Sequence, residues 1–365
     1  MGKRFRDNLD IEGIRRYPMK IEKHLADQMT PVERIKAIEN GQDYDRVLCV
    51  PFIGNMRCLL LGVNEEEYMN SAKHMADGEI AAYNRFGFDR LGIGPNTRGI
   101  SDALCAQFTD YEKGQIVEDI YDRIAAMEPV NAITNKEILK FTQAAELLCE
   151  EAGDIVPIEM SIGGPLTIAS FIRGIELLLR DCRRKPEEIH RLMRVIVDSQ
   201  KSCIDRFSEL NVGIAMADPV ASPVLIGPKV YENFVFPYTK ELTDYAYEKT
   251  GKKVSLHMCG ETYSVWKYFT QYKLNEISLD NVVDLKRAAL ELGEYVPIAG
   301  NVDPVQIVMK GTKQEIFEGV KTCVEQGKLS GKGYHLTTGC DIPDGTKIEK
   351  VEWFMEAARK YGQGK

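Results

Sequence analysis

The feature that most constrains the fold is a regular alternation of short apolar segments with longer amphipathic ones. The apolar segments have the length and composition of buried strands, and most are followed by a segment with helical periodicity. Repeated βα units of this kind predict a parallel sheet, because a parallel crossover needs a connection of helical length. The predicted strands are residues 47–52, 90–94, 156–162, 212–217, 254–258, 276–279, 296–299 and 334–337.

These strand candidates show no point at which their order would reverse. We therefore predict an α/β fold of the (β/α)₈ TIM barrel type, with an open doubly wound sheet as the alternative. A glycine-rich phosphate-binding fingerprint is lacking, since Gly163, Gly164 and Pro165 form only a tight turn.

The helical segments define the expected domain organisation. Thr30, Pro31 and Glu33 have the spacing of a capping box, so a helix is predicted to begin there and to end near Gly41. Residues 1–30 are charged, lack a clear period and are expected to form an N-terminal arm, whereas 31–365 form one barrel with helical insertions before residue 153. Further helices are predicted at 65–84, 118–127, 135–151, 166–179, 186–210, 228–249, 263–272, 283–292, 313–326 and 347–361.

Charge and cysteine content narrow the classes of function. The chain has 365 residues, a net charge of −8 and no apolar run of transmembrane length, so we expect neither nucleic acid nor a membrane as a partner. Its first residues also lack the apolar core of a signal peptide. Nine scattered cysteines suit reduced thiols, and we expect a cytoplasmic protein.

A histidine and two cysteines lie at the ends of two predicted strands. His257 and Cys259 end the strand at 254–258, and Cys340 follows the strand at 334–337. Because the carboxyl ends of barrel strands share one rim, these side chains can meet although they are distant in sequence. Three such ligands would hold Zn²⁺ and leave its fourth position open to a substrate. The alternative is that His257 and Cys259 are two core residues.

Three further residues at strand ends are candidates for catalytic or substrate-positioning roles: Asp218, Asn301 and Asp303. Each has a structural alternative, since Asp218 could cap the turn after its strand and the other two could form a strand exit and a helix cap. Asp280 is similar. The remaining histidines, His24, His74, His190 and His335, lack companions in sequence and are interpreted as surface or core residues.

The motifs at these positions resemble those of the uroporphyrinogen decarboxylase superfamily, and within it the zinc-dependent, corrinoid-linked methyltransferases. The resemblance covers most of the chain, and its most specific parts are residues 217–223, 257–260, 300–304 and Cys340. It implies a (β/α)₈ barrel in which His257, Cys259 and Cys340 are the zinc ligands.

The resemblance also implies a reaction. A methyl group would move between a small substrate, either a methyl ether or a thiol acceptor, and the cobalt of a separate corrinoid protein, because this chain lacks an Asp-x-His-x-x-Gly corrinoid signature. The decarboxylases of the superfamily carry an arginine-rich loop after the first strand, whereas residues 51–58 contain only Arg57. A decarboxylase without a catalytic metal and a protein with a structural zinc are the alternatives. A homodimer is possible.

Overall fold

The computed structural model describes residues 21–108 and 120–364, and within these ranges eight strands form one curled parallel sheet. The part of the predicted arm before residue 21 lies outside the described residues. The strands are β1 Leu48–Cys49, β2 Leu91–Asn96, β3 Ile158–Gly163, β4 Gly213–Ala217, β5 Val254–Met258, β6 Leu274–Leu279, β7 Ile298–Val302 and β8 Tyr334–Thr338.

Seventeen α-helices surround this sheet in the described part of the chain. They are α1 Pro31–Glu39, α2 Met56–Leu61, α3 Glu65–Met69, α4 Ala72–Phe86, α5 Gly99–Cys105, α6 Ile120–Ala126, α7 Lys136–Ala152, α8 Pro165–Arg173, α9 Ile175–Arg184, α10 Pro186–Ser208, α11 Pro223–Ile226, α12 Pro228–Val230, α13 Phe236–Thr250, α14 Trp266–Phe269, α15 Leu285–Glu291, α16 Lys313–Gly327 and α17 Ile348–Tyr361.

The sheet is the (β/α)₈ barrel that the sequence predicts. Every strand from β2 to β8 pairs in parallel with the next, and β8 pairs with β1. The seam between β1 and β2 is joined by Asp89, whose backbone N–H donates to the carbonyl of Cys49 at 3.1 Å and whose carboxylate accepts from the Cys49 N–H at 2.6 Å. Apolar side chains fill the space between this sheet and the helices.

The helix boundaries follow capping chemistry. Thr30 and Glu33 form the predicted capping box at the start of α1. Two predicted helices are interrupted: residues 166–179 divide at Gly174, whose φ of +81° no helical residue adopts, and 65–84 divide at Ser71, whose hydroxyl caps α4. The segment at 228–249 contains a widened π-type turn over Tyr231–Val235 before α13 begins.

Residues 21–30 lie against the barrel through buried charges. Asp27 pairs with Arg46 at 3.0 Å and with Arg359 at 2.9 Å, so it links this segment to the residues just before β1 and to α17. Arg34 and Arg46 also pair with the buried carboxylate of Asp89. Removing one partner from such a network leaves an uncompensated buried charge, which gives this segment a fixed position.

A second buried polar group, the floor cluster, closes the amino-terminal end of the barrel. Its members lie just before or within the first three residues of five strands and are Arg90, Glu159, Ser255, Glu276 and His335. Arg90 donates to Glu276 at 2.7 Å, to Glu159 at 3.2 Å and to Ser255 at 3.1 Å, and the His335 ring contacts the Glu276 carboxylate.

Among the described helices, none is long and apolar enough to cross a membrane.

Candidate metal centre

The sulfur atoms and imidazole predicted to form a zinc site converge at the carboxyl end of the barrel. His257 lies near the end of β5, Cys259 directly follows this strand, and Cys340 lies two residues beyond β8. His257 Nε2 is 3.3 Å from Cys259 Sγ, and Cys259 Sγ is 3.9 Å from Cys340 Sγ. One donor atom from each residue lies within 4.8 Å of the others, although 81 positions separate the two cysteines.

These separations fit a tetrahedral ion. With Zn–S bonds of about 2.3 Å and Zn–N bonds of about 2.0 Å, neighbouring donors would lie about 3.8 Å apart for two sulfurs and about 3.5 Å apart for sulfur and nitrogen. The observed distances of 3.9 and 3.3 Å agree with both values. All three residues are partly exposed, so a substrate could reach the fourth position.

The orientation of His257 is fixed from two sides. Its Nδ1 lies 3.0 Å from the hydroxyl of Ser278, which is its register partner on β6, and this leaves Nε2 directed at the two sulfurs. The Phe52 ring packs edge-on against the imidazole with the ring centres 5.4 Å apart. A hydrogen bond to the second ring nitrogen is the usual means of orienting a metal-binding histidine.

The two thiols share one proton in the absence of a cation. Hydrogen bonds from Cys259 and His257 lower the pKa of Cys340 to about 4, and the bond to Cys340 raises the pKa of Cys259 well above that of a free thiol. These hydrogen bonds favour a thiolate at Cys340 and a thiol at Cys259. Because metals bind the thiolate form, ion binding would displace the remaining proton.

Two glycines give the ligand loops their close packing. Gly260 has a φ of +76°, its N–H donates to Asp280 Oδ2 at 2.8 Å, and a Cβ there would collide with the Ser222 hydroxyl. A Cβ at Gly339 would lie 2.7 Å from that of Asn281. The loops after β4, β5, β6 and β8 therefore meet around the two cysteines.

Asp218 lies next to His257, whose carbonyl accepts its N–H at 3.1 Å, but its side chain faces the helical layer. Its neighbour Ala217 is in register with His257, so Asp218 projects to the opposite face of the sheet. Its Oδ1 accepts from the Thr167 N–H at 3.0 Å and the Thr167 hydroxyl at 2.6 Å at the start of α8, while Oδ2 is buried without a partner. Burial raises the pKa of Asp218 to about 6.

The structure places Asn301 and Asp303 in supporting contacts at the same rim. The Asn301 amide donates to the carbonyls of Asp280 at 2.9 Å and Val283 at 2.8 Å, which holds the turn after β6. Asp303 Oδ1 accepts two backbone N–H groups at 2.8 Å, and its Oδ2 accepts from Asn281 at 3.3 Å. The helix cap weighed as the alternative for Asp303 is present in the structure.

Sequence reasoning missed Ser278 and Phe52. Side chains alternate between the two faces of a strand, so Ser278 on β6 can share a face with His257 on β5. Only the register between the two strands shows that these residues are direct neighbours. Phe52 reaches the site because its N–H donates to Thr338 at 3.1 Å, which joins the loop after β1 to the end of β8.

Comparisons with known proteins find relatives that match most of this chain. Methylcobamide:CoM methyltransferase MtbA of Methanosarcina acetivorans is 26% identical over 343 residues, covering 92% of this chain and 99% of the relative. Uroporphyrinogen decarboxylase 2 of Oryza sativa, a chloroplastic protein, is 24% identical over 255 residues, covering 68% of this chain and 64% of the relative.

A solved structure of a methyltransferase from Methanosarcina mazei shares the fold, with a TM-score of 0.78 and 19% identity over 92% of this chain and 99% of that chain. The family model described as uroporphyrinogen decarboxylase (URO-D) matches residues 30–361, which include the strands of the barrel and all three ligand candidates. This chain therefore belongs to the uroporphyrinogen decarboxylase (URO-D) family.

Proposed function

We propose that this protein is a zinc-dependent methyltransferase that moves a methyl group between a small substrate and the cobalt of a separate corrinoid protein. The substrate is a thiol acceptor or a methyl ether donor. The observation that carries this proposal is the convergence of one imidazole and two sulfurs at the barrel mouth, with separations that suit a tetrahedral ion and with room for a fourth ligand.

Each residue of the site has a role in this proposal. His257, Cys259 and Cys340 would hold the ion, and Ser278 orients the imidazole. When bound, Zn²⁺ would supply a Lewis acid with one open position for a substrate sulfur or oxygen. Asp218, Asn301 and Asp303 position the surrounding loops, since their observed contacts are to backbone groups and side chains of this chain.

The relatives support methyl transfer over decarboxylation. MtbA matches nearly the whole chain, and by its name it acts on a methylcobamide and CoM. In this chain Arg57, the one arginine of residues 51–58, lies in α2, and its guanidinium pairs with the buried carboxylate of Glu79. A guanidinium neutralised in this way cannot grip a substrate with many carboxylates. The nine free cysteines suit the reducing cytoplasm.

The experiment is to incubate the zinc-loaded protein with methylcobalamin and thiols, and separately with cob(I)alamin and methoxylated aromatic compounds, while following cobalt absorbance. We expect the cobalt spectrum to change in one of these mixtures, and Cys149→Ser, a matched change at a half-buried cysteine outside the site, to behave like the unmodified protein. Cys340→Ala should be inactive. Conversion of uroporphyrinogen by the metal-free protein would establish the decarboxylase alternative instead.

A further inference from the structure

Aliphatic side chains are exposed on two loops at the mouth of the barrel. Val224 and Leu225 lie on α11, in the connection that follows β4, and are 72% and 53% exposed. Val282 lies in the turn that follows β6 and is 59% exposed. Exposed aliphatic residues that adjoin a reaction site indicate a surface that is covered during function.

Both loops contact the residues that flank the metal ligands. Ser222, which directly precedes α11, packs against Gly260 next to Cys259. In the other loop, Asp280 accepts the Gly260 N–H at 2.8 Å, and Asn281 packs against Gly339 next to Cys340. Val224, Leu225 and Val282 are therefore carried by loops that contact the neighbours of Cys259 and Cys340.

Hydrogen bonds hold the backbone of both loops in a fixed conformation. Asn301 ties the turn after β6 to β7 through two hydrogen bonds, and the N–H groups of Leu225 and Ile226 donate to the Ser222 carbonyl at 2.9 and 3.1 Å. The aliphatic side chains are thus presented on ordered backbone. Ordered presentation reduces the entropy lost when a ligand covers them.

We propose that Val224, Leu225 and Val282 form a seat for the corrin ring of the methyl carrier. This inference rests on the proposed function, because a cobalt that exchanges a methyl group at the open metal position must bring its ring over this position. A corrin ring is wider than the ligand cluster, and its edge carries methyl groups and neutral amides. Uncharged aliphatic side chains beside the cluster match this edge in polarity.

The test compares glutamate substitutions at the seat with one at the opposite end of the barrel. Leu225→Glu and Val282→Glu place a charge where the ring edge would lie, whereas Leu329→Glu changes a leucine of similar exposure, 46%, just before β8. The dissociation constant for methylcobalamin is measured by equilibrium dialysis with the full-length, zinc-loaded proteins. Bound zinc and oligomeric state are measured in parallel.

We expect each seat variant to raise the dissociation constant about tenfold, the size expected when the burial of one aliphatic side chain is lost, while Leu329→Glu leaves it unchanged. Zinc content should be equal in all variants. The proposal is overturned if the unmodified protein does not bind methylcobalamin, if the double seat variant binds it equally well, or if these substitutions instead dissociate a dimer.

Failure of the proposed function has a different result. In this case the unmodified protein binds methylcobalamin, and the seat variants weaken the binding, but no methyl group moves from methylcobalamin to a thiol or from a methoxylated compound to cob(I)alamin. The seat would then stand as a corrinoid-binding surface on a protein with another reaction.

Discussion

The two ends of the barrel are built from the same strands but in opposite ways. Strands β5, β6 and β8 each contribute one residue to the floor cluster and at least one residue near or beyond the carboxyl end of the strand to the candidate metal centre. The pairs are Ser255 and His257, Glu276 and Ser278, and His335 and Cys340. At the floor, charged groups meet partners of opposite charge. At the mouth, two sulfurs and one imidazole nitrogen lie within 4.8 Å of one another, and their residues are partly exposed to solvent.

This difference indicates that one end of the barrel stabilises the fold, whereas the other end carries the reactive groups. Burial would raise the pKa of Glu276, but the charges of Arg90 and His335 hold it below its usual range, so the carboxylate stays ionised in the floor. At the mouth, hydrogen bonds from Cys259 and His257 lower the pKa of Cys340 and so favour its thiolate form. Paired charges hold the strands together at one end, whereas the other end is completed by a ligand.

The largest expected effect is at the mouth. Cys340→Ala removes one of three ligands, so the zinc bound per chain should fall from about one to near zero, and turnover should be lost. Far-UV circular dichroism and the melting temperature of the metal-free protein should match those of the unmodified metal-free protein, because the floor is intact. Cys149→Ser should retain its zinc. Global unfolding of both Cys340→Ala and the unmodified protein after removal of zinc would instead show that the ion is structural.

The second prediction concerns the floor cluster, where a substitution should reduce stability and leave the metal centre intact. Arg90→Met leaves the carboxylates of Glu159 and Glu276 buried without their guanidinium, so the free energy of unfolding should decrease by about 3–5 kcal/mol. Urea unfolding measures this change. Arg287→Met, which removes an exposed pair with Glu291, should cost less than about 0.5 kcal/mol. If Arg90→Met lost its zinc while it remained folded, the two ends would not be independent.

Asp218 sharpens the comparison because it is a mouth residue that faces the helices. Its pKa of about 6 lies above the unfolded value of about 3.9, so the folded state binds the proton more tightly. The Asp218 contribution to stability is therefore present at pH 4 and is lost as pH rises through 6, by about 3 kcal/mol.

Asp218→Asn keeps an oxygen for the Thr167 donors and removes this titration. Relative to the unmodified protein, it should become more stable as pH rises from 4 to 7. Urea unfolding at several pH values measures the difference. A stability difference that does not vary with pH would mean that Asp218 is not a buried titrating group. Asp218→Ala removes the acceptor for Thr167 at the start of α8, so it should be less stable than Asp218→Asn at every pH.

The smallest effect is expected at the hydroxyl that orients His257. Ser278→Ala removes the 3.0 Å contact to Nδ1 but no metal ligand, so zinc affinity should decrease about 10- to 100-fold, with the fold and the zinc stoichiometry at saturation unchanged. Competition with a chromophoric chelator measures this affinity. Ser170→Ala, at a hydroxyl on α8, is the control and should not alter zinc affinity. An unchanged affinity in Ser278→Ala would mean that packing by Phe52 alone orients the imidazole.

The sequence predicted the fold and the convergence of the three candidate ligands, because both follow from the pattern of strands and helices. Alternating apolar segments and helices indicate a barrel, and barrel strand ends share a rim, so His257, Cys259 and Cys340 could be placed together without any contact information. The strand at 254–258 was predicted with its observed bounds.

Other features depended on pairings that the sequence does not display. His335 appeared to lack a companion, yet it contacts Glu276 from 59 positions away because β6 and β8 both direct residues to the barrel interior. Ser278 became visible only through its register with His257. The break at Gly174 needed the backbone conformation, since a glycine in a helical pattern is compatible with either outcome.

X-ray absorption at the zinc edge tests the central claim most directly. For the zinc-loaded protein we predict two sulfurs and one histidine nitrogen from the protein, together with one light atom that is replaced by a third sulfur when a thiol acceptor is added. A site that already contains four protein ligands and does not change when thiols or methoxylated compounds are added would contradict the account.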